Sequence, residues 1–327
     1  MTSLKTNPSN PMESAPTVHG LHHVTVVSGD PQENLDFYTG TMGMRLVKRS
    51  INQDAPDTYH LFYADAAGSP GTDLTFFPWP DLPRARPGVG QIVEVPLAVP
   101  AASLGFWRER LDEHGVAVGE METRFGERTL PFEDPHGLRL ALVGIEEERA
   151  FAPWERGPVP AEHQVRGLHA VRMWERALEP TEVLLTRVMG FEKVGEEDGW
   201  HRYGIGGASG TFAEIRVMPD EGRGSGGAGG VHHAAWTVRD DAEERAMQAL
   251  LGRVGLQPTQ TIDRFWFQSV YFREPGGVLF ELATEGPGFD RDEDPDRLGE
   301  TLILPPWFEA RRAEIEAGLP PLDVPTL

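Results

Sequence analysis

Val231-His232-His233-Ala234-Ala235-Trp236-Thr237-Val238 is an apolar run with glycine-rich sequence before it and Arg239-Asp240-Asp241 after it. That pattern predicts a buried strand. Neighbours on a strand face opposite sides, so one of two adjacent histidines must face the interior. The pair recurs near the start of the chain in Gly20-Leu21-His22-His23-Val24-Thr25-Val26-Val27. Downstream of the second pair comes Glu274-Pro275-Gly276-Gly277-Val278-Leu279-Phe280-Glu281-Leu282, a turn running into an apolar strand that carries a carboxylate. Two histidines and one carboxylate on strands are the ingredients of a facial metal site.

Working outward from these stretches, four segments share one layout: an apolar strand, a helix, a glycine closing the helix, then further strands. They start at Leu21, Gln91, Gly167 and Val231. Their helices are expected near Asp30–Thr41, Ala102–His114, Pro180–Val188 and Ala242–Val254, closed by Gly43, Gly115, Gly190 and Gly255. From His23 to Gly43 is 20 positions, from Glu94 to Gly115 is 21, from Ala170 to Gly190 is 20 and from His233 to Gly255 is 22. The ends agree as well: Glu133-Asp134-Pro135-His136-Gly137 parallels Arg273-Glu274-Pro275-Gly276-Gly277, and Gly71-Thr72 parallels Gly210-Thr211. Four agreeing spacings favour a true internal repeat.

Composition bounds what such a chain can do. Its 327 residues suffice for two domains, and 39% hydrophobic with 25% charged content fits a globular protein. There is no cysteine, which excludes disulfides, thiolate metal sites and cysteine nucleophiles. A net charge of −21 argues against nucleic acid and anionic membrane as partners. No apolar run is long enough for a spanning helix. Residues 1–17 lack the apolar core of a signal peptide and read as a disordered tail, so a cytoplasmic location is expected. The expected division is 18–147 for an N-terminal pair of βαβββ modules, 148–164 for a charged, proline-containing linker, 165–288 for a C-terminal pair, and 289–327 for an extension. That extension holds a helix over Pro305–Ala317, closed by Gly318. Gly222-x-Gly224-x-x-Gly227 superficially matches a dinucleotide fingerprint. It precedes a strand instead of opening a helix, so it reads as a flexible loop.

A strand, a helix and three strands, repeated four times with these motifs, resembles the vicinal-oxygen-chelate superfamily of glyoxalase, bleomycin-resistance and extradiol dioxygenase proteins. The likeness covers about residues 18–288. It implies an α+β fold in which paired modules curl their sheets into metal-holding cups. Within the superfamily the chain is most similar to ring-cleaving dioxygenases that act on hydroquinones. That likeness is carried by the two His-His stretches, by Asp263-Arg264-Phe265-Trp266-Phe267-Gln268-Ser269-Val270-Tyr271-Phe272-Arg273-Glu274-Pro275-Gly276-Gly277, and by Leu304-Pro305-Pro306-Trp307 through Pro320-Pro321. The resemblance implies Fe(II) as cofactor, with Mn(II) also compatible, and a small aromatic substrate with O₂. It implies ligands at His23, His233 and Glu281 and catalytic roles for Arg264 and Tyr271.

The repeats bear on the ligands independently. Two paired modules offer equivalent inward positions on the first and last strand of each. Here those are His23 and Thr75, Glu94 and Ala141, Ala170 and Glu214, and His233 and Glu281. Only modules one and four together supply two histidines and one carboxylate. Sequential pairing would instead give Glu214, His233 and Glu281. The expectation is the crossed pairing. His22, His232 and Thr25 are candidates for the layer behind the ligands, although strand alternation also permits the opposite face or the rim. His19, His60, His114, His136, His163 and His201 lack repeat-related partners and read as surface or loop residues. Seven residues separate Arg264 from Tyr271, which places them on opposite faces of one straight strand unless a turn or bulge intervenes. Phe265, Trp266, Phe267 and Trp236 are enough aromatic surface to wall a flat ring. Two other functions fit the same fold: a glyoxalase-type metal-dependent isomerase, which commonly wants more than one protein carboxylate, and a metal-free small-molecule-binding protein. A homo-oligomer is compatible with all of these.

Overall fold

The computed structural model describes residues 16–324, so residues 1–15 of the expected tail lie outside the described residues. All four βαβββ modules form. The first helix begins at Pro31 behind Asp30, whose carboxylate accepts from the Gln32 and Glu33 amides. Beyond Leu35 it widens into a π-helical turn over Asp36–Thr41. The fourth, Asp241–Arg253, is capped in the same way by Asp240. Such caps satisfy amides that have no partner within the helix. The second and third helices run over Leu104–Glu113 and Glu179–Arg187. Gly43, Gly115, Gly190 and Gly255 all take φ between 66° and 91°. That left-handed conformation ends a helix and disfavours any residue with a Cβ, so the alignment on glycines has a physical cause.

Within each module the strands lie in the order first, fourth, third, second, and the first and fourth run parallel. Modules then join through their first strands. Leu21–Ser28 pairs antiparallel with Val231–Val238, which makes one eight-stranded sheet from modules one and four. Gln91–Pro100 pairs with Ala170–Glu175, which makes a nine-stranded sheet from modules two and three. Each sheet therefore draws on both halves of the chain, and modules adjacent in sequence lie in different sheets.

Strand alternation sorts the side chains. Val24, Val26, Trp236 and Val238 join the large apolar core with Leu35, Tyr38, Leu184 and Met247 of the helices. His23, Thr25, His233 and Ala235 face the other way, into the curl of the sheet. A smaller apolar cluster fills part of that curl, and its members Phe289 and Leu298 come from the C-terminal extension. Lys48 anchors the extension: its fully buried ammonium donates to the Phe289 carbonyl (3.0 Å) and Asp292 (2.8 Å), and also to Glu293. An amine without water is stable there only because it is fully paired. The helix expected over Pro305–Ala317 starts as a 3₁₀ segment, Pro306–Arg311, and becomes α over Arg312–Gly318.

The glycine-rich stretch 222–230 is not a free loop. Ser225 and Arg86 exchange backbone hydrogen bonds (2.9 and 3.1 Å), and Ala85 donates to Ala228 (2.9 Å), so it is tied to the connection between modules one and two. Among the described residues no helix is long and apolar enough to cross a membrane.

Candidate metal centre

His23 and His233 sit on the two strands that join modules one and four, and Glu281 on the strand beside His233. In register, Thr25 lies opposite His233, His23 opposite Ala235, and Ala235 opposite Glu281. The curl of the sheet closes this diagonal. The two Nε2 atoms are 3.2 Å apart, and Glu281 Oε2 lies 3.3 Å from that of His23 and 2.9 Å from that of His233. All three side chains are buried. Among the described residues this is the one group of three whose geometry suits a metal ion.

The histidine beside each one fixes its orientation. His23 Nδ1 lies 2.9 Å from His22 Nδ1, and His233 Nδ1 lies 2.7 Å from His232 Nδ1. Consecutive strand residues should point apart, but the ladder between the joining strands slips at Leu21/His23 and at Thr25/Val26. His22 Nε2 is 3.2 Å from the Thr284 carbonyl and can only donate there. Its Nδ1 then accepts, so His23 must donate from Nδ1 and keep a lone pair on Nε2. Burial first, then His23, push His22 down to about 3. Burial, then His233, push His232 to about 4. Both are neutral at pH 7, as acceptors of these protons must be. Thr25 stands apart from the ligand histidines: its hydroxyl bonds Thr75 Oγ1 at 2.8 Å.

Glu281 is pinned from its other oxygen by Ser269 Oγ, which donates to Oε1 at 2.5 Å. Burial works to raise its pKa, but His23 and His233 outweigh burial and hold the carboxyl well below the ordinary range. Oε2 is buried and makes no well-formed hydrogen bond, although it faces two imidazole nitrogens. An orphaned carboxylate oxygen and two imidazole lone pairs aimed at one point fit a divalent cation. Without one, the arrangement leaves buried acceptors unmet.

Arg264 and Tyr271 converge. The chain reverses between Ile262–Asp263 and Phe267–Arg273 through Phe265, a non-glycine residue at φ 77°. Asp263 accepts from the Phe265 amide (2.8 Å), and the Arg264 amide donates to Phe267 O (3.0 Å). Strained backbone of this kind is typical of sites where one side chain must be aimed. Arg264 Nε then donates to the Tyr271 hydroxyl (3.3 Å), and Nη2 donates to Asp54 (2.9 Å). Tyr271 lies opposite Glu281 across the ladder, with its ring 5.5 Å from that of His233. Burial, then Glu281, push its phenol up, so it keeps its proton at neutral pH. With Arg264 on the oxygen, that proton is free to point into the cleft.

The cleft above the three ligand atoms has about 380 Å³ of empty space, part of it open to solvent. Phe62, Phe77, Trp266 and Phe267 wall it. Trp236 does not: it packs in the opposite core against Phe191 (5.0 Å). Phe265 stands outside the walls, with its ring 5.9 Å from that of Trp307. A larger apolar cavity near Trp154 and Leu298 holds none of the converging groups. Sequence reasoning missed Ser269, Asp54 and His60. Period-two alternation from Tyr271 reaches Ser269, and from Phe62 it reaches His60, so both were findable once the faces were known. His60 lines this cleft, contrary to a surface or loop assignment, and His136 and His163 are also integrated into the protein. His136 is buried, and His163 stacks on Phe106 at 4.2 Å.

The second sheet answers its own ligand positions with Glu94, Ala141 and Ala170. Its curl is filled by ion pairs: Arg172 to Glu214 (2.8 Å) and Glu94 (3.3 Å), and Arg202 to Glu214 (2.9 Å for Nε) and Glu127 (2.6 Å). Arg172 takes the place that Thr25 has in the first sheet, where its guanidinium supplies the positive charge.

A family model described as the glyoxalase/bleomycin resistance protein/dioxygenase superfamily matches residues 20–142. MhqO of Bacillus subtilis, named as a ring-cleaving dioxygenase, is 41% identical over 305 residues, covering 93% of this chain and 97% of its own length. The chain belongs to that superfamily. A chlorohydroquinone/hydroquinone 1,2-dioxygenase of Sphingobium indicum is 34% identical over 313 residues, 93% of this chain and 97% of that protein. A crystal structure of a Bacillus subtilis protein designated a dioxygenase superposes with a TM-score of 0.91 at 40% identity, over 96% of this chain and all of that one. Maize glyoxalase I shares the fold, with a TM-score of 0.60 at 14% identity over 81% of this chain and 92% of that one. The full-length relatives place the chain among the ring-cleaving dioxygenases of the superfamily.

Proposed function

We propose that the chain is an Fe(II)-dependent dioxygenase that opens the ring of a hydroquinone-like diol. His23, His233 and Glu281 would hold the metal, and Arg264 and Tyr271 would handle protons and charge on the substrate side. The observation that carries this reading is the convergence of three aimed lone pairs from both chain halves beneath an aromatic-walled cleft. Two histidines and one carboxylate suit non-haem Fe(II), and Mn(II) fits the same set. When bound, the ion supplies open coordination positions for a substrate oxygen and O₂ and a path for electrons between them. The chain's own part is positioning. Phe62, Phe77, Trp266 and Phe267 clamp a flat ring and keep water from it. The Tyr271 hydroxyl, held by Arg264, exchanges a proton with the substrate oxygen beside it. The Arg264 guanidinium stabilises the negative charge that develops on oxygen. Asp54, the remaining carboxylate lining the cleft, is taken up by Arg264, which disfavours an isomerase needing a second carboxylate.

The overall change adds both atoms of O₂ to the diol, breaks one ring carbon–carbon bond and needs no external reductant. The test is oxygen uptake by Fe(II)-loaded protein against hydroquinones and catechols. One O₂ per diol and a ring-opened acid are expected. Iron-bearing protein that consumes no O₂ with any dihydroxybenzene refutes the assignment.

A further inference from the structure

His60 is a polar group of the cleft that the mechanism above does not use. It lies on Ala55–Ala64, two strands from His23, and Asp73–Pro78 lies between them. His60 lies beyond the Leu61–Phe76 pair while His23 pairs with Asp73, so the two are offset along the sheet as well as across it. Both side chains nonetheless line one cleft, together with His233. The imidazole is held in place. Its ring lies 3.8 Å from that of Phe62 and 4.4 Å from that of Phe77. Nε2 bonds Thr75 Oγ1 at 2.9 Å, and Thr75 in turn bonds Thr25 at 2.8 Å. Among the described residues Nδ1 makes no hydrogen bond, and the residue is half-buried against the cleft. Asn52, Gln53 and Asp54 also line it, but each is engaged by its own loop or by Arg264. Burial first, then the charges of His23, His233 and Arg264, hold the imidazole neutral.

A diol with para hydroxyls cannot place both on one metal ion. If one oxygen sits at His23, His233 and Glu281, the other lies a ring's length away, at the opposite wall. We propose that His60 accepts the hydrogen bond of this second hydroxyl at Nδ1, while Thr75 and Thr25 hold the ring in the accepting tautomer by taking the proton of Nε2. His60 is then the residue that distinguishes a para-diol from a simple phenol or a catechol, whose oxygens do not reach it. This rests on the diol-cleaving reading and goes further by assigning the second oxygen a partner.

The test is equilibrium binding without turnover. Full-length, iron-loaded protein is titrated anaerobically with hydroquinone and with phenol, read by tryptophan fluorescence, since Trp266 lines the cleft. The wild type is expected to bind hydroquinone about 5- to 10-fold more tightly than phenol, the usual worth of one hydrogen bond in a partly desolvated site. His60→Phe keeps the ring between Phe62 and Phe77 but removes the acceptor. It should bring the ratio to about 1–2 while phenol affinity and iron content change less than about 2-fold. His60→Asn, which keeps a polar atom near the place of Nδ1, should restore most of the preference. His60→Gln, which keeps one near Nε2, should not, and it serves as the test if the phenylalanine variant does not fold. An unchanged ratio in His60→Phe or His60→Gln overturns the assignment. So does a wild type that binds both phenols equally. A wild type that binds neither refutes the diol-cleaving reading, and this inference falls with it.

Discussion

His22 and His232 make the same contact, Nδ1 to Nδ1 of a histidine aimed at the metal position, at 2.9 and 2.7 Å. They differ in surroundings: His22 is 4% exposed, whereas His232 has its imidazole partly covered but keeps an open side towards solvent. Replacing His22 by leucine leaves the His23 Nδ1 proton without an acceptor where water does not reach. An unmet buried donor costs about 1–3 kcal/mol. His23 can escape that cost only by turning or by moving its proton to Nε2, and either change takes the lone pair from the metal. Iron affinity should therefore fall about 10- to 100-fold, the usual range for the loss of a group that orients a ligand. Replacing His232 by leucine leaves a place that water can take, and a bridging water is nearly as good a partner. That variant should lose less than about 5-fold. The assay is anaerobic competition for Fe(II) with a chromophoric chelator, with melting of the metal-free proteins run alongside to separate folding from binding. His22→Asn, which keeps an acceptor, should recover part of the loss. Equal losses in the two leucine variants, or no loss in His22→Leu, would refute the reasoning from burial.

Three further outcomes are expected. His23→Ala, His233→Ala and Glu281→Ala should each abolish stoichiometric iron by elemental analysis. Glu214→Ala should keep it, because Glu214 is bound to Arg172 and Arg202 in the other sheet. Tyr271→Phe and Arg264→Leu should retain iron but slow oxygen uptake by roughly 10²-fold, the scale of acid–base and electrostatic groups; rates equal to wild type would leave both residues structural. Glu175 is buried against Glu274 and Gly276, and burial, then Glu274, push its carboxyl up to about 8. The folded protein thus holds a proton there that the unfolded chain releases at its ordinary pKa near 4.5. Stability from this group is present at low pH and is lost as pH rises from that value through 8. Glu175→Gln should flatten the melting profile over that window and be more stable than wild type at pH 8, by up to about 4 kcal/mol. A wild-type profile with no slope there would contradict it.

Much of this was legible before any coordinates, because it rests on local chemistry. Gly43, Gly115, Gly190 and Gly255 announce helix ends, since left-handed turns are decided by a few residues. The His-His strands and the Glu281 strand were visible as apolar runs carrying polar groups. Less visible was the direction in which side chains point wherever the ladder slips. Alternation sends His22 away from His23, but the irregularity beside them brings the two rings together. Seven residues on a straight strand part Arg264 from Tyr271, but the reversal at Phe265 joins them.

The sequence by itself determined the repeated βαβββ unit, the residue types able to bind a metal and the exclusion of sulfur chemistry. These follow from composition and from periods of two and 3.6 residues. The crossed pairing of modules one and four was expected from the ligand set alone, and the sheet order bears it out; only the tertiary structure decided that Trp236 belongs to the core and that His60 faces the cleft. The first strand of every module offers the same kind of unpaired edge, and its local sequence does not specify which other first strand will meet it. That choice is made by contacts between residues some two hundred positions apart, such as His23 and His233 (|i−j| = 210), and no local pattern records them.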